Sequence, residues 1–578
     1  MEYTTTAAEL VARGWADHRP ALWWRDTVLT HHDLAREAST RAALLTTLLR
    51  PGAPPNIGVL LDNTPEFVHW LSAAALARAA VVGVNPTHRG PDLARDILHT
   101  DCALLITEPA RLPLLRGLDL PGVRVLITGT DEHAALLTEF AATDLYRNPT
   151  PVTPADRFLL YFTSGSTGAP KAAICTQGRL AAAGRSLAGQ FAVGEDDVHY
   201  LCMPMFHGNA VMAGWAPALA AGAGVALRSR FSATGFLDDV RRYRATYFTY
   251  VGRAIQYVLA TPPRPGEDRD HRLRTGFGTE AGAVDVAAFE QRFGTRLVEG
   301  YGSSEGGAAI QWSPGTPAGA VGRATPGLVV RDPQTAAVCP PAVFGPGGIL
   351  LNGDDAIGEL VNHGPSPFEG YWRNPAAEAE RRRGGAYWTG DLFYRDENGY
   401  LYFAGRGDDR IRVDGENLAA ALIEAILARY EGADAVAVYA VPDEVTGDQV
   451  MAAIAGRFEP ESFAAFLRAQ PDLGTKMAPR FVRVLERMPV TATNKIQRAR
   501  LRKEGVRCGD PVWWRPPGET SYRSMPGTTG APGTTGAPGT AGTAGTSPDA
   551  GGPHAEGPLA EAKGPSDVRR QGLEPRTR

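Results

Sequence analysis

The first part of the chain alternates short apolar runs with longer segments in which apolar and polar residues mix. Four of the short runs predict buried strands: "PNIGVLL", "AAVVGVNP", "CALLITEP" and "VRVLITG". Between the first two, "TPEFVHWLSAAALARA" has the length and the composition of a crossover helix. Strands that alternate with helices in this way predict an α/β fold with mainly parallel sheets.

A second pattern of this kind lies near the other end of the chain. In "GENLAAALIEAILARY", Leu418, Leu422 and Ile426 recur at helical spacing, and "ADAVAVYAVPD" then predicts a strand. These elements indicate a separate, small α+β domain. We therefore expect a large domain, a linker, this small domain and a tail, with the bounds 1–404, 405–408, 409–523 and 524–578.

The tail differs from the rest in composition. It repeats the letters PGTTGA, and glycine does not occupy every third place, so it is not collagen-like. Such a segment cannot bury enough apolar surface to offset the loss of chain entropy. We expect residues 524–578 to be disordered.

Charge and cysteine content narrow the class of protein. The net charge of −4 offers no basic field for nucleic acid. Five scattered cysteines without a CxxC pair are typical of reduced thiols, and the first twenty residues lack a secretory signal pattern. Residues 198–227 carry no Asp, Glu, Lys or Arg, but their prolines favour a buried turn and helix over a membrane span. We expect a cytoplasmic protein without a transmembrane span, with peripheral membrane contact left open.

The segment "YFTSGSTGAPKAAI" suggests phosphate binding. Its glycines allow close approach of the backbone to a ligand, its hydroxyls and N–H groups suit phosphate oxygens, and its lysine adds positive charge. A flexible surface turn would explain the composition equally well. The candidate phosphate-binding residues are Thr163, Ser164, Gly165, Ser166, Thr167, Gly168 and Lys171.

Four further motifs follow this loop in order: "YGSSE", "YWTGDL", "GRGDDRIRVDGEN" and "PVTATNKIQR". Together the five segments resemble the adenylate-forming superfamily, which includes acyl-CoA synthetases, peptide-synthetase adenylation domains and firefly luciferase. The resemblance covers about residues 5–520. The segments "FEQRFGTRLVEGYGSSEGG" and "NTPEFVHWLSAAALARAAVVGVNPTHRGPDL" look most similar to the very-long-chain acyl-CoA synthetase and fatty-acid transport protein branch.

The resemblance implies an ATP-dependent acid–thiol ligase. A carboxylic acid, expected to be a fatty acid, would attack the α-phosphate of ATP to give acyl-AMP and pyrophosphate. Coenzyme A would then displace AMP. Because negative charge accumulates at the α-phosphate, cations and fixed hydrogen-bond donors should stabilise the first transition state.

The same resemblance assigns roles to residues of the nucleotide site. Tyr301 would stack on adenine, Ser304 would donate to the α-phosphate, and Asp391 would accept from the ribose hydroxyls. Glu305 would act in catalysis by holding Mg²⁺. The AMP-binding candidates are Gly278, Thr279, Glu280, Tyr301, Gly302, Ser304, Asp391 and Arg406.

Lys495 would be the catalytic lysine that bridges the substrate carboxylate and the α-phosphate. The family motif commonly has glycine before this lysine, where this chain has Asn494. His207 would gate the acyl carboxylate. Asp408 would be the hinge, within residues 405–408, between a large domain of several subdomains and a mobile small domain. Gly415 would line the pantetheine tunnel. The run from Arg381 to Arg383 is interpreted as a solvated face.

Two other functions remain open from the sequence. The acyl group could be transferred to a separate carrier protein, although the tail lacks the serine motif of a fused carrier domain. The chain could also be a degenerate scaffold. Intact Lys171, Glu305, Asp391, Arg406 and Lys495 argue against that hypothesis.

Overall fold

The structure is a computed structural model, and it describes residues 3–163, 171–346, 350–364, 368–413, 416–443, 447–491 and 495–525. The predicted disorder of 524–578 therefore falls almost entirely outside the described residues. The side chains of Asp354, Asp408, Arg410, Glu416 and Asn417 are also outside them.

The strands of the described part follow the chain in this order: β1 (Pro20–Trp24), β2 (Thr27–Thr30), β3 (Asn56–Leu60), β4 (Ala80–Gly83), β5 (Cys102–Thr107), β6 (Arg124–Ile127), β7 (Arg157–Thr163), β8 (Lys171–Thr176), β9 (Val198–Leu201), β10 (Gly224–Leu227), β11 (Tyr247–Val251), β12 (Thr275–Thr279), β13 (Arg296–Glu299), β14 (Ile310–Gln311), β15 (Ala320–Ala324), β16 (Leu328–Arg331), β17 (Gly358–Asn362), β18 (Arg382–Arg383), β19 (Ala386–Arg395), β20 (Tyr400–Arg406), β21 (Arg410–Val413), β22 (Glu416–Ala419), β23 (Ala433–Asp443), β24 (Gly447–Gly456), β25 (Phe481–Leu485), β26 (Val512–Trp514) and β27 (Arg523–Ser524).

The α-helices are α1 (Ala7–Arg13), α2 (His31–Leu48), α3 (Pro65–Leu76), α4 (Gly90–His99), α5 (Asp131–Glu139), α6 (Gln177–Gln190), α7 (Ala216–Ala221), α8 (Phe236–Arg242), α9 (Gly252–Leu259), α10 (Ala283–Phe293), α11 (Gly353–Ala356), α12 (Pro375–Arg381), α13 (Ala420–Leu427), α14 (Pro460–Arg468) and α15 (Arg498–Glu504). Short 3₁₀ turns span Gly14–Ala16, Pro109–Leu114 and Gly407–Asp409, and a π-helix spans Asn209–Trp215.

Two mainly parallel sheets enclose the largest core. One has the order β13-β12-β11-β9-β10-β1-β2 and the other the order β6-β5-β3-β4-β7-β8. Only the β1–β2 and β7–β8 pairs of these sheets are antiparallel. Helix α3 is buried on every side from Phe67 to Leu76, and this stretch is apolar except for His69 and Ser72. The βαβ prediction for this region is confirmed.

The other two sheets are mostly antiparallel. Strands β14-β15-β20-β19-β17-β16 form a third sheet, which the sequence did not predict. Residues 410–524 form a fourth sheet, β22-β21-β24-β25-β26-β27, with β23 paired to β24. Strand β23 covers the predicted segment Ala433–Asp443 in full. The predicted helix after "GEN" begins only at Ala420, because Leu418 belongs to strand β22.

The 198–227 segment is a buried strand–helix–strand unit and not a single long helix, as predicted. It contains β9, the π-helix, α7 and β10, and the strands pair with each other in parallel. Within the described residues, no helix is both long enough and apolar enough to cross a membrane. All five cysteines are free thiols, and Cys102, Cys175, Cys202 and Cys339 are buried.

Candidate active site

Several of the predicted site residues follow the carboxyl ends of neighbouring strands in the first sheet. Strands β13, β12, β11 and β9 are parallel neighbours, so their carboxyl ends lie side by side. Glu280 follows β12, the segment from Tyr301 to Glu305 follows β13, and His207 lies in the turn after β9. Ligands of open parallel sheets bind in the crevice outside such strand ends. The topology therefore explains why residues far apart in sequence converge here.

The phosphate-loop candidate connects two paired strands. Thr163 ends β7 and Lys171 begins β8, and the two residues are register partners. The Thr163 hydroxyl donates to the Lys171 carbonyl oxygen at 3.4 Å. Residues Ser164 to Gly168, which carry most of the predicted phosphate contacts, lie outside the described residues. The Lys171 ammonium is largely buried and lies 3.4 Å from Glu380 of α12.

Asp391, Arg406 and Tyr301 form a second group. Asp391 in β19 and Arg406 in β20 are register partners, and Arg406 Nε lies 3.7 Å from Asp391 Oδ1. The Tyr301 hydroxyl donates to Asp391 Oδ2 at 2.6 Å. Burial raises the pKa of Asp391, and the charge of Arg406 opposes that shift. The pairing of β19 with β20 thus holds Asp391, the residue predicted to bind the ribose, beside the cation of Arg406.

The Tyr301 ring has one edge in a small aromatic cluster. Its centroid lies 4.9 Å from that of Phe393, and the two rings are nearly perpendicular. A second ring, Phe403, lies 6.4 Å away. The edge-to-face contact with Phe393 and the tilted contact with Phe403 fix the orientation of the Tyr301 ring next to Asp391.

The loop that carries Ser304 and Glu305 is held by two residues that the sequence did not single out. Arg179 of α6 is buried and donates to the Ser304 carbonyl oxygen at 2.7 Å. Tyr371 donates its hydroxyl to Glu305 Oε1 at 2.9 Å. The next residue, Gly306, has φ +65, and a side-chain carbon there would lie 2.3 Å from Arg179. No local motif marks Arg179 or Tyr371, since both act through tertiary contacts.

The interpretation of residues 381–383 as a solvated face is wrong for Arg381. Its guanidinium packs against Gly390, where a side-chain carbon would lie only 2.0 Å from Nη1. Burial acts against the charge, but Tyr371, Tyr387 and Glu305 together raise the pKa of Arg381. Helix α12 ends at this residue and turns it inward. Arg381 thus adds a cation beside Glu305.

His207 lies in a mostly apolar turn next to the π-helix. Its ring centroid is 4.3 Å from that of Phe206. Burial lowers the pKa of His207 to about 4, and the charges of Lys495 and His88 act in the same direction. The imidazole is therefore neutral near pH 7. The following residue, Gly208, lies close to both Ser304 and Tyr161, since a side-chain carbon there would contact Ser304 Oγ at 3.6 Å and Tyr161 at 3.7 Å.

Lys495 reaches the same crevice from the fourth sheet. Two hydrogen bonds tie its backbone to Thr491: the Thr491 N–H donates to the Lys495 carbonyl oxygen at 2.7 Å, and the Lys495 N–H donates to Thr491 Oγ1 at 3.1 Å. Asn494 lies outside the described residues. The Lys495 ammonium lies 2.9 Å from Glu280 Oε1. The predicted catalytic lysine and the predicted adenine-side segment are therefore in contact.

The remaining candidates are backbone positions. Gly278 sits where a side-chain carbon would lie 2.3 Å from the Tyr250 carbonyl oxygen, and its neighbour Thr279 ends β12. Gly302 follows Tyr301 in the loop after β13. The backbone of Asp408 forms a 3₁₀ turn between β20 and β21. Gly415 lies outside the described residues.

A half-buried carboxyl group, that of Glu299, links two segments that border the crevice. Glu299, at the end of β13, accepts hydrogen bonds from the Tyr250 hydroxyl at 2.6 Å and from Ala281 N–H at 3.1 Å. Burial raises the pKa of Glu299 to about 7. Glu299 thus fixes the start of the segment between β12 and α10. The sequence analysis missed it, although it stands two residues before the "YGSSE" motif.

Two family models match the chain. Residues 9–372 match the model described as AMP-binding enzyme, and residues 422–495 match that of the AMP-binding enzyme C-terminal domain. The fold is similar to that of the anthranilate CoA ligase AuaEII, with a TM-score of 0.76 and 20% identity, over 87% of this chain and 98% of that one.

Curated relatives are similar over nearly their whole length. A steroid-22-oyl-CoA synthetase of Rhodococcus jostii is 48% identical over 91% of this chain and 96% of its own. A medium/long-chain-fatty-acid–CoA ligase, FadD17, of Mycobacterium marinum is 44% identical over 85% of this chain and 95% of its own. The chain therefore belongs to the AMP-binding enzyme family, and it is an AMP-forming acid–thiol ligase that converts a carboxylic acid to acyl-AMP and then to acyl-CoA.

Proposed function

We propose that the acid carboxylate binds between His207 and Lys495, next to the loop of Ser304. The observation that carries this proposal is the position of Gly208, next to His207, where a side-chain carbon would lie 3.6 Å from Ser304 Oγ and 3.7 Å from the Tyr161 ring. A carboxylate in this place has the Lys495 charge nearby and an apolar wall behind it. The neutral His207 can hydrogen-bond the acid without adding a charge.

Lys495 neutralises both reacting groups in the first step. The carboxylate and the α-phosphate are both anions, so their approach is opposed until a cation lies between them. An ammonium on a flexible stem can contact both oxygens as the new bond forms. The Ser304 side of the loop, fixed by Arg179, donates to the α-phosphate. These groups stabilise charge that develops in the transition state.

The nucleotide is held from the third sheet. Asp391 accepts from the ribose hydroxyls, and Arg406 contacts the ribose or phosphate; its position 3.7 Å from Asp391 supports this role. Tyr301 stacks on adenine. Gly278, Thr279, Gly302 and the backbone of Glu280 form the rest of the nucleotide wall, and Thr163 to Lys171 hold the outer phosphates.

A magnesium ion fits the Glu305 side of the site. One carboxylate together with phosphate oxygens is a common Mg²⁺ environment. Glu305 keeps its carboxylate in place through Tyr371. The ion would supply charge neutralisation at the phosphates. Among the described residues, no group of three or more His, Cys, Asp or Glu side chains is arranged to hold a metal.

The second step needs a different approach to the acyl carbon. We infer that the turn at Asp408 rotates the small domain after pyrophosphate leaves, and that Gly415 then lines the path of the CoA arm. Transfer to a carrier protein instead of CoA would use the same surface. CoA dependence of turnover distinguishes the two acceptors.

The acid is proposed to be a steroid with a carboxylated side chain, and a medium- or long-chain fatty acid is the second candidate. The two relatives named above act on these two classes. Both are apolar acids, which suits the Tyr161 and Phe206 surroundings of the gate.

Initial rates of pyrophosphate release test this choice. A steroid acid whose carboxyl carbon is carbon 22, a series of fatty acids and sulfoacetate as a polar control are compared with and without CoA. We expect kcat/KM for the steroid acid to exceed that for any fatty acid by about tenfold or more, because a pocket shaped for rings leaves a linear chain poorly packed. A fatty acid with the higher kcat/KM would overturn the steroid assignment and leave the ligase assignment intact.

A further inference from the structure

The ion pair between Lys495 and Glu280 joins the parts of the chain matched by the two family models. Both side chains remain nearly half exposed, at 44% and 46%, so the pair faces the open crevice. Exposed pairs of this kind are weak and exchange partners easily. In the protein without substrate, Glu280 is therefore the partner of the Lys495 ammonium, but the pair is weak enough for another anion to replace Glu280.

The backbone directs Glu280 toward the crevice independently of Lys495. Glu280 has φ +70, which non-glycine residues rarely adopt. Its carbonyl group packs so closely on Gly252 that a side-chain carbon at Gly252 would lie 1.7 Å away. On the other side, Ala281 N–H donates to Glu299. A strained residue held on both sides is a feature typical of functional sites.

Other cations of the chain also face Glu280. Burial acts against its charged form, but Lys495, Arg498 and Arg406 together lower the pKa of Glu280. Arg498 is itself held by Glu424 through contacts of 2.9 and 2.7 Å. The Glu280 carboxylate thus faces the positive charges of Lys495 and Arg498, which are close together in the chain, and of Arg406 in β20.

We propose that Glu280 is a positioning residue that docks Lys495 in the crevice before the acid binds, and that the substrate carboxylate then replaces Glu280 as the partner of the ammonium. This inference rests on the proposed role of Lys495. One carboxylate replaces another, so the charge around the ammonium stays balanced while the substrate enters. In the absence of the acid, Glu280 keeps the small domain oriented for the first step.

The Glu280→Gln variant tests the docking role. It keeps the size of the side chain and removes its charge. We expect kcat/KM for the acid in acyl-AMP formation to fall about fivefold, as suits the loss of an exposed ion pair. At saturating acid and ATP, kcat should stay unchanged, because the substrates have then taken over Lys495. Transfer from pre-made acyl-AMP to CoA should also stay unchanged.

Three companion variants keep the test decisive. Glu280→Asp retains the charge and should restore most of the lost kcat/KM, whereas a purely structural role would not distinguish Asp from Gln. Glu280→Gly relieves the positive φ and should behave as Gln does. Glu267→Gln removes an equally exposed carboxylate, paired with Arg241, and should match the wild type.

The outcomes separate the two hypotheses. If Lys495→Ala, assayed in parallel, keeps acyl-AMP formation, the proposed role of Lys495 fails and the docking role fails with it. If Lys495→Ala loses that step while Glu280→Gln and Glu280→Gly show wild-type kcat/KM, only the docking role is overturned. A loss of kcat/KM that Asp fails to restore also overturns it.

Discussion

The Lys495→Ala variant is expected to lose acyl-AMP formation by about 10²- to 10³-fold and to keep transfer from pre-made acyl-AMP to CoA. Lys495 contacts Glu280 and lies close enough to His207 for its charge to lower the pKa of that imidazole. Under the proposed role, removing the Lys495 ammonium leaves the acid and the α-phosphate as two anions facing each other. The loss of a single preorganised charge-stabilising group typically has this magnitude.

The two half-reactions are measured separately to test this expectation. Acid-dependent pyrophosphate release reports the first, and acyl-CoA formation from synthetic acyl-AMP reports the second. Lys503→Ala is the matched control, since it removes an exposed lysine of α15 in the same small domain. It should leave both rates unchanged. An equal loss of both half-reactions in Lys495→Ala would contradict the assigned role.

The Asp391→Ala variant should weaken both half-reactions, because the nucleotide stays bound through both. Two ribose hydroxyls that donate to a charged acceptor contribute about 1.5–3 kcal/mol each. We therefore expect KM for ATP to rise at least about 100-fold, and the apparent affinity for acyl-AMP to fall similarly. Burial raises the pKa of Asp391, so its charge is a cost to folding, and the variant should remain folded.

Tyr301→Phe is the matched partner of this variant. It keeps the ring against Phe393 and removes only the hydroxyl that donates to Asp391. We expect a much smaller rise in KM for ATP, since the carboxylate itself is retained. An unchanged KM for ATP in Asp391→Ala would contradict the ribose role, and so would a defect confined to one half-reaction.

The elements with strong local patterns were predictable from the sequence. Helix α3 and strands β3 to β6 follow directly from apolar runs broken by turns, and β23 coincides with "ADAVAVYAVPD". Leu418 was misplaced because a short strand leads directly into the helix, and the apolar spacing continues across the junction. The third sheet was not predicted. Its β19–β20 hairpin is local, but β15 pairs with β20 across a long stretch of chain, which no local pattern reveals.

The site was predictable where motifs carry it and not where packing does. Asp391, Arg406 and Tyr301 come together as adjacent strands and a loop bring their motifs into contact. Arg179, Tyr371 and Glu299 belong to no motif, and only the folded chain reveals their contacts with the site. The roles assigned to all of these site residues remain predictions, and Ser164 to Gly168 and Gly415 also lie outside the described part.

In the assigned reaction the acid oxygen attacks the α-phosphate of ATP, and CoA then releases AMP. This path is tested with substrate acid labelled with ¹⁸O in its carboxylate, by mass spectrometry of the products after turnover with ATP and CoA. We expect one ¹⁸O atom in AMP and none in pyrophosphate, because the bridging oxygen of acyl-AMP stays with AMP when the thiol attacks the carbonyl carbon. Label in orthophosphate with formation of ADP, or AMP without label, would contradict the mechanism.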